Sequence, residues 1–150
     1  MLYALLKSLH VFGVLLWVGG MLFAHFFLRP SLAVLEPPQR LALMREVLQR
    51  FFAAVVVAVL AVLISGLGML DMARRASAFV WPAAWLAMTA IGLLMMVIFG
   101  YIRLTLYRRF VTALDAGELA AAAAALARVR AWVGANLALG LFVVAVVLLV

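Results

Sequence analysis

Residues 2–28 read LYALLKSLHVFGVLLWVGGMLFAHFFL and are followed by Arg29-Pro30. The run is long enough to cross hydrocarbon, which takes about 20 apolar residues, and Arg-Pro is a natural stop. Its ionisable groups do not scatter. At about 100° per residue, Lys7, His10, Trp17, Met21 and His25 fall within an arc of roughly 80° on one helix. Charged and ionisable groups are expensive in a bilayer, so such a stripe faces a protein interior or a cavity. Both histidines of the chain lie on it.

Three further apolar runs, at about 51–70, 81–101 and 131–150, have the same character. Of the 150 residues, 71% are hydrophobic and 11% charged, and the mean hydropathy is +1.32. These values predict an all-α integral membrane protein: a single four-helix transmembrane domain over residues 1–150. The first run has no charged n-region and exceeds the length of an h-region, so it reads as a retained span and not as a signal peptide.

The connections differ. After Glu36-Pro37-Pro38, Leu41, Met44, Val47 and Leu48 repeat at helical spacing among Arg and Glu, which predicts a short interfacial helix between helices 1 and 2. The second connection, Asp71 to Val80, is short. The third carries Arg108-Arg109, then Asp115-Ala116-Gly117-Glu118 and an alanine-rich run to Ala127, expected to be helical and to extend the fourth span. Ser65-x-x-Gly68, Gly92, Gly100 and Gly134-x-x-x-Ala138 are candidate points of close helix approach.

Net charge is +7, from 12 Lys/Arg against 5 Asp/Glu. The basic residues flank apolar runs, so lipid headgroups and topology account for them, and no basic patch with interleaved aromatics points to nucleic acid. Arg29, Arg40, Arg45, Arg50, Arg103, Arg108, Arg109, Arg128 and Arg130 fall in the first and third connections; Lys7, Arg74 and Arg75 fall on the other side. Nine against three puts the first and third connections in the cytoplasm and both termini in the periplasm of a bacterial-type inner membrane.

Orientation and the 1.5 Å rise assign depths. Lys7, His10, Ser65, Met69, Met88 and Thr89 share the outer half; Met21, His25, Tyr101 and Asn136 share the inner half. His10 and His25 stand about 22 Å apart along the axis, so one chain's two histidines cannot hold one ion or one haem iron. With no cysteine in the chain, thiolate metal sites are excluded. All five acidic residues lie in connections, which argues against a carboxylate proton relay or a Ser-His-Asp hydrolase.

His10 is a metal or haem-iron ligand candidate, or an imidazole bonded to Ser65 or Thr89 within the bundle. Met21 and His25, at i and i+4, present a thioether and an imidazole, a pair that suits Cu(I); chance placement of a methionine in an apolar helix is the plainer reading. Trp17 packs in the bundle or against a bound macrocycle. Met95-Met96 and the Met69/Met72 pair read as packing, the latter with a weak claim to capture copper at the outer surface. Asn136 is expected to bond across helices, and Tyr101 and Arg103 to anchor at the interface.

The segment Leu6-Lys7-Ser8-Leu9-His10-Val11, with Trp17-Val18-Gly19-Gly20-Met21-Leu22-Phe23 and Leu28-Arg29-Pro30, resembles the copper-resistance D (CopD) family of membrane proteins, best over residues 1–50. The same Lys-x-x-His start resembles the HemJ family. The first resemblance implies inner-membrane copper handling, with His10, Met21 and His25 as metal candidates. The second implies a b-type haem in a protoporphyrinogen oxidase, with His10 axial, and Lys7 and Trp17 beside the cofactor. The HemJ-type second ligand, a lysine on a later helix, is missing, since Lys7 is the only lysine. The expected function is therefore copper binding or transfer across the membrane by a homo-oligomer whose pairing supplies more ligands. The alternatives are a haem-binding redox protein and a cofactor-free scaffold subunit. Catalysis is not expected; were there any, it would be that of a haem-dependent membrane oxidoreductase.

Overall fold

The computed structural model describes residues 1–75 and 80–149. Four long helices make up nearly all of it: α1 (Leu2–Val34), α2 (Pro37–Arg74), α3 (Ala83–Asp115) and α4 (Leu119–Leu149). Each has a stretch apolar and long enough to cross a membrane, so the chain is a multi-pass helical membrane protein. The four expected spans lie one in each helix. Part of the second connection, residues 76–79, and Val150 fall outside the described residues.

At 31 to 38 residues, the helices outrun the ~20 that hydrocarbon requires. The surplus lies at the end where α1 joins α2 and α3 joins α4, the loop end. The expected interfacial helix is there, as the first turns of α2 with no break before the span. Its start is well specified: Pro37 occupies the first helical position, and Glu36 and Gln39 form a capping box, with the Glu36 N–H donating to Gln39 Oε1 at 3.3 Å.

The stretch around Arg108-Arg109, read as a connection, is helix instead. α3 runs on through Leu106 and Phe110 to Asp115. Ile102, Leu106 and Phe110, at i, i+4 and i+8, are all buried, and this stripe holds the segment against its neighbours despite the arginines between. The turn to α4 is only Ala116-Gly117-Glu118. Gly117 has φ +75°, Glu118 N–H reaches the Ala113 carbonyl and Gly117 N–H the Leu114 carbonyl, both at 3.0 Å, a Schellman closure that needs a residue at ease with positive φ. The alanine-rich run is the start of α4, as expected. Ala122 is fully buried there, and small side chains let α4 lie close to the end of α3.

The core is concentrated toward the loop end. α1 packs along α2 and α3 along α4, while α1 also touches α4. Aromatic rings link three of the helices: Trp17 lies edge-on to Phe99 (6.0 Å), Phe52 edge-on to Phe99 (5.7 Å) and to Tyr107 (5.3 Å), and Tyr107 stands 6.1 Å from Phe110. The Tyr107 hydroxyl donates to the Arg45 carbonyl at 3.1 Å, and Arg45 pairs with Asp115, tying the start of α2 to the end of α3. Tyr101 and Trp132 stack edge-on at 5.3 Å.

Close approach occurs at Gly13 and Gly140. A Cβ on Gly13 would stand 2.8 Å from Val62 Cγ2 and 3.1 Å from the Ala58 carbonyl oxygen; one on Gly140 would stand 2.9 Å from Val18 Cγ2 and 3.1 Å from Met95 Cε. Of the glycines singled out in sequence, Gly68 faces Leu6 and Gly134 faces His25, while Gly92 and Gly100 open onto free space.

Candidate functional site

The polar stripe of α1 divides into three environments. Lys7 is exposed at the terminal end. Trp17 (4% exposed) and Met21 (2%) are sealed in the apolar core. His10 and His25, both half-buried, face different helices.

His10 lies against α2. Its Nδ1 is 3.1 Å from the Val62 carbonyl oxygen and 3.1 Å from Ser65 Oγ. Ser65 is fully buried, and its hydroxyl hydrogen is used up helix, toward the carbonyls of Ala61 and Val62 (3.2 Å to the latter). A carbonyl only accepts, so the contact to Val62 requires a proton on Nδ1, and Ser65 Oγ then accepts from the same N–H. Nε2 is left as the lone-pair nitrogen. Gly66 lies beneath the ring: a Cβ there would stand 3.4 Å from His10 Cε1, an ordinary contact distance. The bonding to Ser65 foreseen as the plain reading is thus present, and it is compatible with a ligand role through the other nitrogen. Thr89 is exposed and takes no part in this bond.

Ser65→Ala removes one of two acceptors and leaves Val62. We expect a loss of about 0.6 kcal/mol, the average for a hydrogen bond between membrane helices, read by equilibrium unfolding in mixed micelles. A loss several times larger would mean that Ser65, and not the Val62 carbonyl, holds the ring.

His25 occupies a π-helical turn, Ala24–Leu28, just before Pro30, whose missing N–H and bulky ring disturb the preceding turn. It stands edge-on to Phe26 at 5.1 Å and faces Gly134 of α4, where a Cβ would approach its Cε1 to 3.5 Å. Among the described residues no hydrogen bond holds its ring. Its neighbours are basic: Arg29, Arg40 and Arg130 line the same cavity. Met21, one turn earlier, is closed off in the core while His25 opens onto that cavity.

Asn136 corrects an expectation. It is buried (1% exposed), but its Oδ1 has no hydrogen-bond partner, so the amide oxygen does not bond across helices. Met95 is in the core, as packing requires. Among the described residues no group of three or more His, Asp or Glu side chains forms a metal cage. A closed site for copper in one chain would therefore have to combine an imidazole with thioethers or backbone oxygen. Around His10, Met69 lies one turn beyond Ser65 on α2 and is half-buried.

The model of one protein family, CopD (Copper resistance protein D), matches residues 45–150. That covers α2 from Arg45 onward, α3 and α4. The sequence resemblance rested on residues 1–50, so the polar stripe lies outside the matched region. No curated protein and no solved structure matches the chain.

Proposed function

Because the chain belongs to the copper-resistance protein D family and is thus a copper-resistance-related membrane protein, we propose that it binds copper, or passes it across a bacterial-type inner membrane, with His10 as the principal ligand. The four helices act as one domain with both termini periplasmic, which sets His10 in the periplasmic half. The observation that carries the reading is the anchored imidazole. Metal-binding histidines characteristically donate their second ring N–H to a backbone carbonyl, which fixes the tautomer and aims the other nitrogen; here that carbonyl is Val62. Neutral imidazole and thioether suit Cu(I), and hard oxygen cages do not.

His10 supplies one ligand. The second comes from a thioether, for which Met69 is the nearest candidate along α2, or from His10 of a second copy across a two-fold axis. His25 is a lesser candidate for a later station toward the loop end; Met21, one turn earlier but closed off in the core, does not open onto the same cavity. A homo-oligomer is the simplest way to complete either set.

The test is Cu(I) titration of the detergent-purified full chain against a chromogenic chelator. Wild-type protein is expected to withhold copper from the chelator. His10→Ala should weaken retention by more than the roughly 10–100-fold that loss of an outer-shell contact costs, and His25→Ala by much less. Unchanged retention in His10→Ala sinks the assignment. The visible spectrum of the same sample, oxidised and then reduced, guards the conclusion: a Soret band that shifts on reduction would replace copper by haem at His10.

A further inference from the structure

Three helices bring basic side chains to one cavity of about 480 Å³ near the loop end: Arg29 and the imidazole of His25 from α1, Arg40 from α2 and Arg130 from α4, with Phe26, Pro30 and Ala33 completing the walls. No acidic residue lines it. The ion pairs among the described residues use other arginines: Arg45 with Asp115, Arg50 with Glu46, and Arg75 with Asp71. Arg40 spends one NH2 group on the Leu35 carbonyl, at 2.9 Å. Its Nε, and the Nε of Arg130, are buried with no hydrogen-bond partner.

This arrangement is unfavourable on its own terms. Like charges around one cavity repel, and a buried guanidinium N–H without an acceptor forgoes its hydration with nothing in return. Such a set is stabilised by an anion with several oxygens, and the guanidinium fork matches phosphate in two-pronged fashion. We infer that the cavity formed by His25, Arg29, Arg40 and Arg130 binds a phosphate group. The cavity sits where the first span ends at Arg29-Pro30 and the fourth begins after Arg130, the depth of lipid headgroups. Its walls are mixed, with Phe26, Pro30 and Ala33 offering apolar surface beside the cations. A phosphodiester on a lipid and a free phosphate share the recognising chemistry, and the experiment separates them. The inference does not depend on the copper reading.

The probes are phosphatidylglycerol, phosphatidylcholine and inorganic phosphate, each added to the full chain in neutral detergent, with the midpoint of thermal unfolding as the readout. A saturating ligand is expected to raise the midpoint by on the order of 5 °C. A rise with phosphatidylglycerol but not with phosphatidylcholine or inorganic phosphate assigns the site to an anionic headgroup. A comparable rise with millimolar inorganic phosphate assigns it to a soluble phosphate. Either rise should fall by more than half in the double variant Arg40→Gln/Arg130→Gln and persist in Arg108→Gln/Arg109→Gln, which removes the same charge elsewhere. Should the double variant fail to fold, Arg130→Gln alone keeps the Arg40–Leu35 bond and serves in its place. No rise with any probe, an undiminished rise in the cavity variants, or an equal loss in both pairs would overturn the assignment.

Discussion

Replacing Phe110 by alanine is expected to cost roughly 3–5 kcal/mol of stability. Phe110 has no exposed surface, and Ala122, Leu126 and Val129 of α4 and Met44 and Leu48 of α2 are buried in the same core. Its position beyond the span decides the size of the effect. Among helices in hydrocarbon, removing apolar atoms sacrifices only packing, because lipid tails are as apolar as leucine. Phe110 lies past the apolar run at 81–101 and is expected to sit outside hydrocarbon, so the loss combines the transfer free energy of the ring with the cavity left behind. Equilibrium unfolding in mixed micelles measures it. Leu104→Ala is the comparison, since Leu104 is on the same helix and 66% exposed; it should change stability by less than about 1 kcal/mol. Equal effects from the two would mean that the loop-end core does not form.

Gly13→Val should also be damaging, by a different route. Even a Cβ at this position presses on the Ala58 carbonyl, which is backbone and cannot rotate away. A valine forces α1 off α2, and such overpacking costs roughly 1–3 kcal/mol. The effect reaches the site, because His10 lies one turn before Gly13 and its bond to Val62 requires the two helices to remain close. We expect Gly13→Val to lose copper retention together with stability. Gly19→Ala provides the opposite sign on the same helix: nothing lies within 4 Å of a Cβ there, and alanine favours helix over glycine by up to about 1 kcal/mol. If both substitutions behave alike, helix approach at Gly13 is not what seats His10.

Several features were legible in sequence because they depend on local order. Hydropathy and length marked the spans, and Glu36-Pro37-Pro38-Gln39 marked the start of α2. Depth counting along straight helices put His10 in the same half as Ser65 and Thr89, of which the ring meets Ser65, and put Met21, His25, Tyr101 and Asn136 in the other half. The end of α3 is not legible in sequence, because Arg103, Arg108 and Arg109 give it the composition of a connection while Ile102, Leu106 and Phe110 form a buried stripe only once the neighbouring helices are in place. Asn136 was given a bond that its surroundings do not provide.

The chain's own order of residues determined that this is a four-helix membrane protein with a polar stripe on its first span, since hydrophobic length and 3.6-residue periodicity are properties of each segment alone. Which nitrogen of His10 is tied down, that Trp17 and Met21 are sealed away, and that Arg29, Arg40 and Arg130 converge on His25 were decided only by the tertiary structure. Those facts depend on which helices touch and how closely. At Gly13 the absence of a side chain lets α1 come against Val62 and the Ala58 carbonyl of α2, segments far apart in the chain.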